Sequence, residues 1–288
     1  MPVNADAYTH GESEFDDRIL DSAEAEWPAE AGRYRLIASL ACPWASRAVL
    51  VRRLLGLEDA ISLGIVDPIQ DERSWRFTLD PDDRDPVLGV GFLHEAYDNR
   101  RTDYSNGVSV PAMVDIPSRK LVTNDFHQIT LDMSLQWTAH HRDGAPELYP
   151  EAWRDEIDEV MARVYRDLND AVYGAGFARS QRAYEKSYNA IFDCLDWLHD
   201  RLAGQRYLVG DHVTEADVRL FTTLVRFDTV YQGHFKCNRN KLAEDEVLWA
   251  YLRDLCQTPG FGDTVNQRHV KNHYYQVQSD VNPSKIVP

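Results

Sequence analysis

The hydrophobic pattern of the chain changes near residue 125, from mixed periods to a nearly continuous helical period. Residues 33–39 partly alternate polar and apolar side chains, which predicts a short strand covered mainly on one face. After Cys42, apolar residues recur at helical spacing until Gly56, a residue type that commonly ends a helix. The pattern therefore predicts a strand followed by a helix, and Cys42 lies at their junction.

More strands are indicated before the pattern changes. Three further segments have strand-like patterns: residues 61–66, 108–114 and 120–123. Pro111 interrupts the second of them, and Asn124-Asp125 suits the cap of a following helix. Strand, helix, strand, hairpin and helix is the order of a thioredoxin-like domain, in which the third strand begins after a proline that is commonly cis.

From about residue 151 the pattern is helical. Apolar side chains recur every three or four residues in two runs: Ile157, Val160, Val164 and Leu168, then Tyr188, Ile191, Phe192, Leu195 and Leu198. Thr214 and Asp217 have the spacing of a capping box, in which two side chains satisfy N–H groups at a helix start. An α/β thiol domain followed by an all-α domain is the glutathione-transferase architecture.

These patterns divide the chain into four parts. We predict an N-terminal extension at residues 1–32, a thioredoxin-like thiol-binding domain at residues 33–138 and an all-helical domain at residues 150–266. Residues 267–288 form a C-terminal tail that we expect to pack near the active site. A chain of 288 residues is long enough for two domains with separate cores.

Composition and charge limit the partners and the cellular location that we expect. The formal net charge of −16 is spread along the chain, which argues against nucleic acid or an anionic membrane as a partner. No apolar run approaches the roughly 18 residues that a membrane helix needs. Residues 1–27 are acidic where a secretory signal would be basic and then apolar, so we expect a cytoplasmic protein.

The four cysteines do not suggest a disulfide framework. Cys42, Cys194, Cys237 and Cys256 lie far apart in a long chain. The sequence has no CxxC and no HExxH spacing, so we expect no metal site.

Cys42-Pro43-Trp44-Ala45 is the strongest candidate for chemistry. Pro43 suits the first turn of a helix, whose N–H groups and dipole would stabilise a thiolate at Cys42. A dithiol oxidoreductase needs a second cysteine three positions on, and this chain has Ala45 there. A reactive single thiol and a buried structural cysteine both remain open from these residues alone.

Several motifs give the chain a resemblance to a known family. They are Cys42-Pro43-Trp44-Ala45, Val172-Tyr173 with Gly176-Phe177-Ala178, the run from Tyr207-Leu208-Val209-Gly210-Asp211 to Gly233-His234-Phe235-Lys236-Cys237-Asn238, and His273-Tyr274-Tyr275 with Asn282-Pro283 and Ile286-Val287-Pro288. With them the chain resembles the glutathionyl-hydroquinone reductases, also called xi-class glutathione transferases. The resemblance covers nearly all of the chain beyond residue 33.

The resemblance implies a mechanism that needs no second protein cysteine. Cys42 would attack the sulfur of a thiol-conjugated hydroquinone, the hydroquinone would leave, and a mixed disulfide would remain on the enzyme. A second small thiol would then resolve that disulfide. Such a site needs a thiol pocket in the first domain and an aromatic pocket between the domains.

The same resemblance implies residues for both pockets. Val110, before Pro111, would offer its backbone N–H and C=O to the cysteinyl part of the thiol, and Trp75 matches the family's tryptophan there. Trp75 could equally be a packing anchor. Tyr173, Tyr274 and Tyr275 are candidates for the quinol, because a phenolic O–H can bond a quinol oxygen while the ring packs on the substrate. Packing is the alternative role for each tyrosine.

Two departures from the family pattern concern the thiol. Asp125-Phe126 stands where the family commonly has Glu-Ser to hold the γ-glutamyl end of glutathione, and His94 stands where it has an arginine. We therefore expect a low-molecular-weight thiol other than glutathione, with mycothiol as the leading candidate. The alternative is that Arg100 or Arg101 compensates and glutathione still binds.

Two other functions remain open at this level. One is a conjugating transferase that activates a bound thiol, which would normally prefer serine or tyrosine in place of Cys42. The other is a non-catalytic transferase-like module for protein assembly, which would need no thiol there. We also expect a homodimer.

Overall fold

The computed structural model describes residue 11 and residues 13–288, so residues 1–10 and 12 of the predicted extension lie outside the described residues. The strands are β1 Tyr34–Ala38, β2 Ile61–Ile65, β3 Ala112–Asp115 and β4 Lys120–Thr123. The helices are α1 Pro43–Leu55, α2 His94–Arg100, α3 Gln128–Gln136, α4 Arg154–Val164, α5 Ala171–Gly176, α6 Gln181–Leu202, α7 Glu215–Arg226, α8 Glu246–Gln257 and α9 Gln267–Val277.

The chain forms two compact units. One, which we call the α/β unit, contains residues 13–145 and 264–273. The other, which we call the helical unit, contains residues 146–263 and 274–288, so α9 contributes residues to both.

The sheet of the α/β unit has the order β2-β1-β3-β4. β1 is parallel to β2 and antiparallel to β3, and β3 is antiparallel to β4. All five residues of β1 are buried, so the prediction of a strand covered mainly on one face was wrong. A central strand of the sheet is covered on both faces. Strand order and direction confirm the predicted thioredoxin-like fold.

The third strand is shorter than its hydrophobic pattern suggested. Its pairing with β1 begins at Ala112, which is opposite Ile37, and residues 108–111 lie outside the ladder. Pro111 has no N–H to donate, so the ladder begins only after it. The Val110–Pro111 peptide bond is cis, as expected.

The long segment between β2 and β3 is tied to the sheet by a buried ion pair. Arg35 on β1 donates to Asp85 at 2.7 Å, and both side chains are nearly inaccessible to solvent. The other carboxylate oxygen of Asp85 accepts bonds from the N–H groups of Val87 and Leu88. Asp85 therefore links the fold of this segment, which carries Trp75 and α2, to the central strand.

The helical unit confirms the predicted capping box. The side chain of Asp217 accepts a bond from the backbone N–H of Thr214, and the side chain of Thr214 caps the first turn of α7. Asp217 also accepts bonds from the N–H of Leu208 at 2.9 Å and the hydroxyl of Tyr251 at 2.8 Å. The motif is structural, because all of its bonds join segments of the same unit.

Candidate active site

Cys42 lies where the sequence pattern placed it, as the residue that caps the N-terminus of α1. Pro43 begins the helix, and the backbone of Cys42 is extended, with φ −76° and ψ 121°. Its N–H donates to the carbonyl of Ser39, while Ser46 donates both its N–H and its hydroxyl to the Cys42 carbonyl. The backbone of Cys42 is thus fixed on both sides. A helix N-terminus is a position at which a thiolate can be stabilised.

The structure brings Cys42 together with Val110. The Cys42 Sγ is 3.6 Å from the carbonyl oxygen of Val110, next to the cis peptide bond. The thiol is partly exposed and, within the part of the chain that the structure describes, forms no disulfide. A backbone edge and an accessible sulfur therefore lie side by side, as the thiol site implied by the family requires.

The ring of Phe126 packs against two side chains near the start of α1, Trp44 and Arg47. Its ring centroid is 4.9 Å from that of Trp44, and the guanidinium of Arg47 is 4.5 Å from the Trp44 ring and 5.7 Å from the Phe126 ring. Phe126 is only 7% exposed. Phe126, which the resemblance places where the family commonly has serine, is therefore packed against the cysteine motif instead of pointing into solvent.

Asp125 caps the following helix, as expected. One of its carboxylate oxygens accepts bonds from the N–H groups of His127 at 2.9 Å and Gln128 at 3.2 Å. The neighbouring residue, Asn124, has a different role and bonds to Phe15 and Ser109. The carboxylate of Asp125 is therefore committed in part to the start of α3.

Trp75 is buried and packs against His273 of α9. Its ring stacks on that of His273, with centroids 5.3 Å apart and planes 23° apart. The Nδ1 of His273 lies 2.6 Å from the carbonyl oxygen of Pro68, so the imidazole donates this bond. The structure supports a packing role for Trp75. Its predicted role in the thiol pocket remains a prediction.

His94 is the first residue of α2, and its side chain is 37% exposed. Its Nε2 is 3.8 Å from a carboxylate oxygen of Asp98, one turn further along the helix. The ring also lies near Phe92, with centroids 5.9 Å apart. The position is accessible to solvent and bears no permanent positive charge.

The two arginines that could compensate for His94 are bound elsewhere. Arg100 pairs with Asp17 and lies 3.9 Å from Glu26. Arg101 pairs with Glu14 at 2.9 Å. All three acidic partners belong to the described part of the N-terminal extension, so that segment neutralises the C-terminal end of α2.

The helical unit contains a cluster of hydrogen-bonded tyrosines. The hydroxyl oxygens of Tyr173 and Tyr274 are 2.5 Å apart, and those of Tyr231 and Tyr274 are 3.2 Å apart. Burial raises the pKa of Tyr274 well above its ordinary value, so this phenol stays protonated. Tyr275 does not belong to the cluster, because its hydroxyl donates to the carbonyl of Thr229 at 3.1 Å.

Sequence reasoning missed Tyr231. It ends a π-helical turn, Phe227–Tyr231, and its ring stacks on Phe235 with centroids 5.6 Å apart. Turns of this kind often occur at functional sites, but they have no sequence signature. The available signal was position, since Tyr231 lies within the family-like run from Tyr207 to Asn238, two residues before Gly233.

Gly176 provides the space for this cluster. A Cβ atom there would lie 2.3 Å from the ring of Phe235. We expect Gly176→Ala to lower the free energy of unfolding by about 1–3 kcal/mol, although alanine favours helix by about 1 kcal/mol. Urea unfolding checks this, with Gly233→Ala as the control because nothing lies within 4 Å of a Cβ there. Equal stability of the two variants would contradict it.

Comparisons with known proteins decide the family. Residues 181–254 match the family model of the glutathione S-transferase C-terminal domain. Over 269 residues the chain is 41% identical to the glutathionyl-hydroquinone reductase PcpF of Sphingobium chlorophenolicum, with 92% of this chain and 85% of that protein covered. The chain belongs to the glutathionyl-hydroquinone reductases, the xi class of glutathione transferases.

Solved structures agree with this membership. A glutathione transferase from Gordonia bronchialis is 59% identical, with a TM-score of 0.94 and coverage of 95% of this chain and 85% of that one. The glutathione-bound structure of YqjG, a glutathione transferase homolog from Escherichia coli K-12, is 36% identical with a TM-score of 0.89, over 95% and 91% of the two chains. The predicted architecture of a thioredoxin-like domain plus a helical transferase domain is confirmed.

As a member of the glutathionyl-hydroquinone reductases, the chain is an enzyme of the glutathione-transferase superfamily, and the assembly-module interpretation is wrong. Between residue 13 and the C-terminus, and at residue 11, no helix is long and apolar enough to cross a membrane. The same residues contain no cluster of three or more side chains suited to hold a metal ion.

Proposed function

We propose that this reductase removes a small thiol from thiol-conjugated hydroquinones through a mixed disulfide on Cys42. The Cys42 thiolate attacks the conjugate's sulfur, so an S–S bond forms and the S–C bond to the ring breaks. The electron pair goes to the ring carbon, which takes up a proton and leaves as the hydroquinone. A second small thiol, as thiolate, then attacks the mixed disulfide, giving a low-molecular-weight disulfide and regenerating Cys42.

The observation that carries this proposal is the position of the partly exposed Cys42 thiol, at a helix N-terminus beside the Val110 carbonyl. Cys194 and Cys237 are buried, which raises the pKa of each thiol to about 12, so neither is suited to resolve a disulfide. Cys256 is exposed on α8, and partial desolvation raises its pKa as well. The resolving thiol must therefore come from outside the protein.

The tyrosine cluster is the proposed binding site for the quinol ring. Tyr173 and Tyr274 share a short bond between hydroxyls, and a quinol oxygen can join such a network as donor or acceptor. The hydroxyl of Tyr231 is hydrogen-bonded to that of Tyr274 and extends the network. Tyr275 has the weaker case, since its hydroxyl already donates to a backbone carbonyl.

We further propose that the physiological thiol is not glutathione, and that mycothiol is the best candidate. Phe126 presents a buried ring where the family has a hydroxyl, and Arg100 and Arg101 are already paired with carboxylates of the N-terminal segment. The two arginines that could bind a carboxylate of glutathione are therefore already paired with other carboxylates. A thiol with sugar groups and fewer carboxylates suits a site with His94 and Phe126 better.

Two broader expectations belong with this proposal. A cytoplasmic location suits an enzyme that consumes small thiols, because that compartment keeps them reduced. A homodimer is expected from the family. Size-exclusion chromatography with light scattering measures the oligomeric state directly.

A single-turnover experiment tests the function. The protein is mixed with hydroquinone conjugates of glutathione and of mycothiol without added thiol, and intact mass and quinol release are measured together. We expect one thiol adduct per chain, quinol release in equal amount, and faster reaction with the mycothiol conjugate. Free thiol should then remove the adduct and restore turnover.

Two variants sharpen the experiment. Cys42→Ala should form no adduct, whereas Cys256→Ala, which removes the other exposed thiol, should behave as the unaltered protein. An adduct that survives Cys42→Ala would sink the mechanism. Turnover with the glutathione conjugate alone would sink the choice of mycothiol but leave the reaction type intact.

A further inference from the structure

The backbone next to Val110 receives from a side-chain hydroxyl the hydrogen bonds that a neighbouring strand would otherwise supply. Ser109 precedes the ladder of β3 and is exposed, so neither sheet pairing nor burial fixes its position. Tyr97 on α2 supplies both missing bonds. Its hydroxyl donates to the carbonyl of Ser109 at 2.8 Å and accepts from the Ser109 N–H at 3.2 Å.

This hydroxyl is itself rigidly placed. Tyr97 is fully buried, and its ring meets those of Phe15 and Tyr104 at centroid distances of 5.6 and 5.2 Å. Burial also raises the pKa of Tyr97 to about 12, so the phenol keeps its proton and remains a donor to the Ser109 carbonyl.

A second contact ties the same residue to the start of α3. The side-chain amide of Asn124 donates to the hydroxyl of Ser109 at 2.9 Å, and its oxygen accepts from the N–H of Phe15 at 3.3 Å. Asn124 immediately precedes Asp125, one of the predicted thiol-binding residues. We call Tyr97, Ser109 and Asn124 the Tyr97 network.

We propose that Tyr97 is a positioning residue of the thiol site, whose hydroxyl orients the Ser109–Val110 backbone that faces the Cys42 sulfur. The proposal rests on the proposed function, in which Val110 pairs with the cysteinyl part of the thiol. Ser109 and Val110 are consecutive, and Val110 O is 3.6 Å from Cys42 Sγ, so the chain from Tyr97 to the sulfur is short and continuous. Tyr97 acts through this backbone and does not touch the reacting atoms.

The test is Tyr97→Phe, which removes one buried hydroxyl and keeps the ring. S-methyl mycothiol and S-methyl glutathione serve as unreactive probes, and calorimetry gives their dissociation constants. We expect whichever probe binds the unaltered protein to bind about tenfold more weakly, which is the scale of a lost hydrogen bond. The single-turnover rate at saturating conjugate should stay within about threefold, because the attacking and leaving groups are untouched.

Tyr104→Phe is the matched control. The ring of Tyr104 packs at a tilt against that of Tyr97. Its hydroxyl donates to the carbonyl of Gly107 at 3.2 Å, in the same segment but not to Ser109. It should leave probe affinity unchanged. Ser109→Ala keeps both backbone bonds to Tyr97 but removes the Ser109 hydroxyl, which accepts the bond from Asn124 and lies 3.4 Å from the Tyr97 hydroxyl. We expect it to weaken probe binding by about twofold to threefold.

The outcomes separate this inference from the proposed function. If the unaltered protein forms the Cys42 disulfide and Tyr97→Phe binds the probe normally, the inference is overturned and the function stands. If the unaltered protein forms no disulfide, the proposed function fails first. Should Tyr97→Phe fail to fold, Ser109→Ala decides: weaker binding supports the Tyr97 network, and unchanged binding overturns it.

Discussion

Replacement of Cys42 by serine is expected to lower the rate of quinol release by at least about 10³-fold, the scale on which removing a nucleophile acts. A serine hydroxyl occupies the same place at the N-terminus of α1, but it is far less acidic than a thiol and cannot form the S–S bond on which the step depends. The backbone bonds of residue 42 to Ser39 and Ser46 do not involve the side chain, so the fold should be retained.

The serine variant also separates two reaction types. In a conjugating transferase the bound thiol is the nucleophile, and a hydroxyl at the helix start would activate it. Stopped-flow measurement of quinol release, with far-ultraviolet circular dichroism to check the fold, gives the answer. Release at an undiminished rate would show that the bound thiol, and not Cys42, attacks the conjugate.

The fold was largely predictable because its signals are local. The strand before Cys42, the stop at Gly56 and the Thr214–Asp217 box depend on neighbouring residues, and each occurs in the structure at the predicted place. The start of β3 was misjudged by periodicity, although Pro111 itself marks where the ladder can begin.

The contacts that organise the candidate site were not predictable from the sequence. Asp85 meets Arg35 across 50 positions, and Tyr231 meets Tyr274 across 43. Such pairs depend on how distant segments pack, which periodicity and spacing do not encode. The place of Cys42 at the start of α1 could be predicted from the sequence. The tyrosines could only be proposed as a set, without the hydrogen bonds that pair them.

The proposed thiol preference predicts that arginine at position 94 and serine at position 126 strengthen glutathione binding. His94→Arg together with Phe126→Ser should tighten the binding of S-methyl glutathione by about a hundredfold, since each charge-assisted contact contributes about 1.5–3 kcal/mol. Asp98 would compete for the new guanidinium, but an exposed pair at this helical spacing contributes only about 0.3–0.5 kcal/mol. Calorimetric titration of the single and double variants measures how much each substitution contributes to the binding free energy of S-methyl glutathione.

The two substitutions differ in their expected effect on the fold, which makes the single variants informative. His94 is partly exposed, so His94→Arg should cost little stability, and His140→Arg is the control for added charge in the same unit. Phe126→Ser removes a ring packed on Trp44, and we expect it to destabilise the fold by about 3 kcal/mol. If His94→Arg alone leaves glutathione affinity unchanged while Phe126→Ser increases it, the missing arginine is not what selects the thiol. Phe126 would then be the residue that excludes the γ-glutamyl carboxylate, through the hydroxyl it lacks and the volume it occupies.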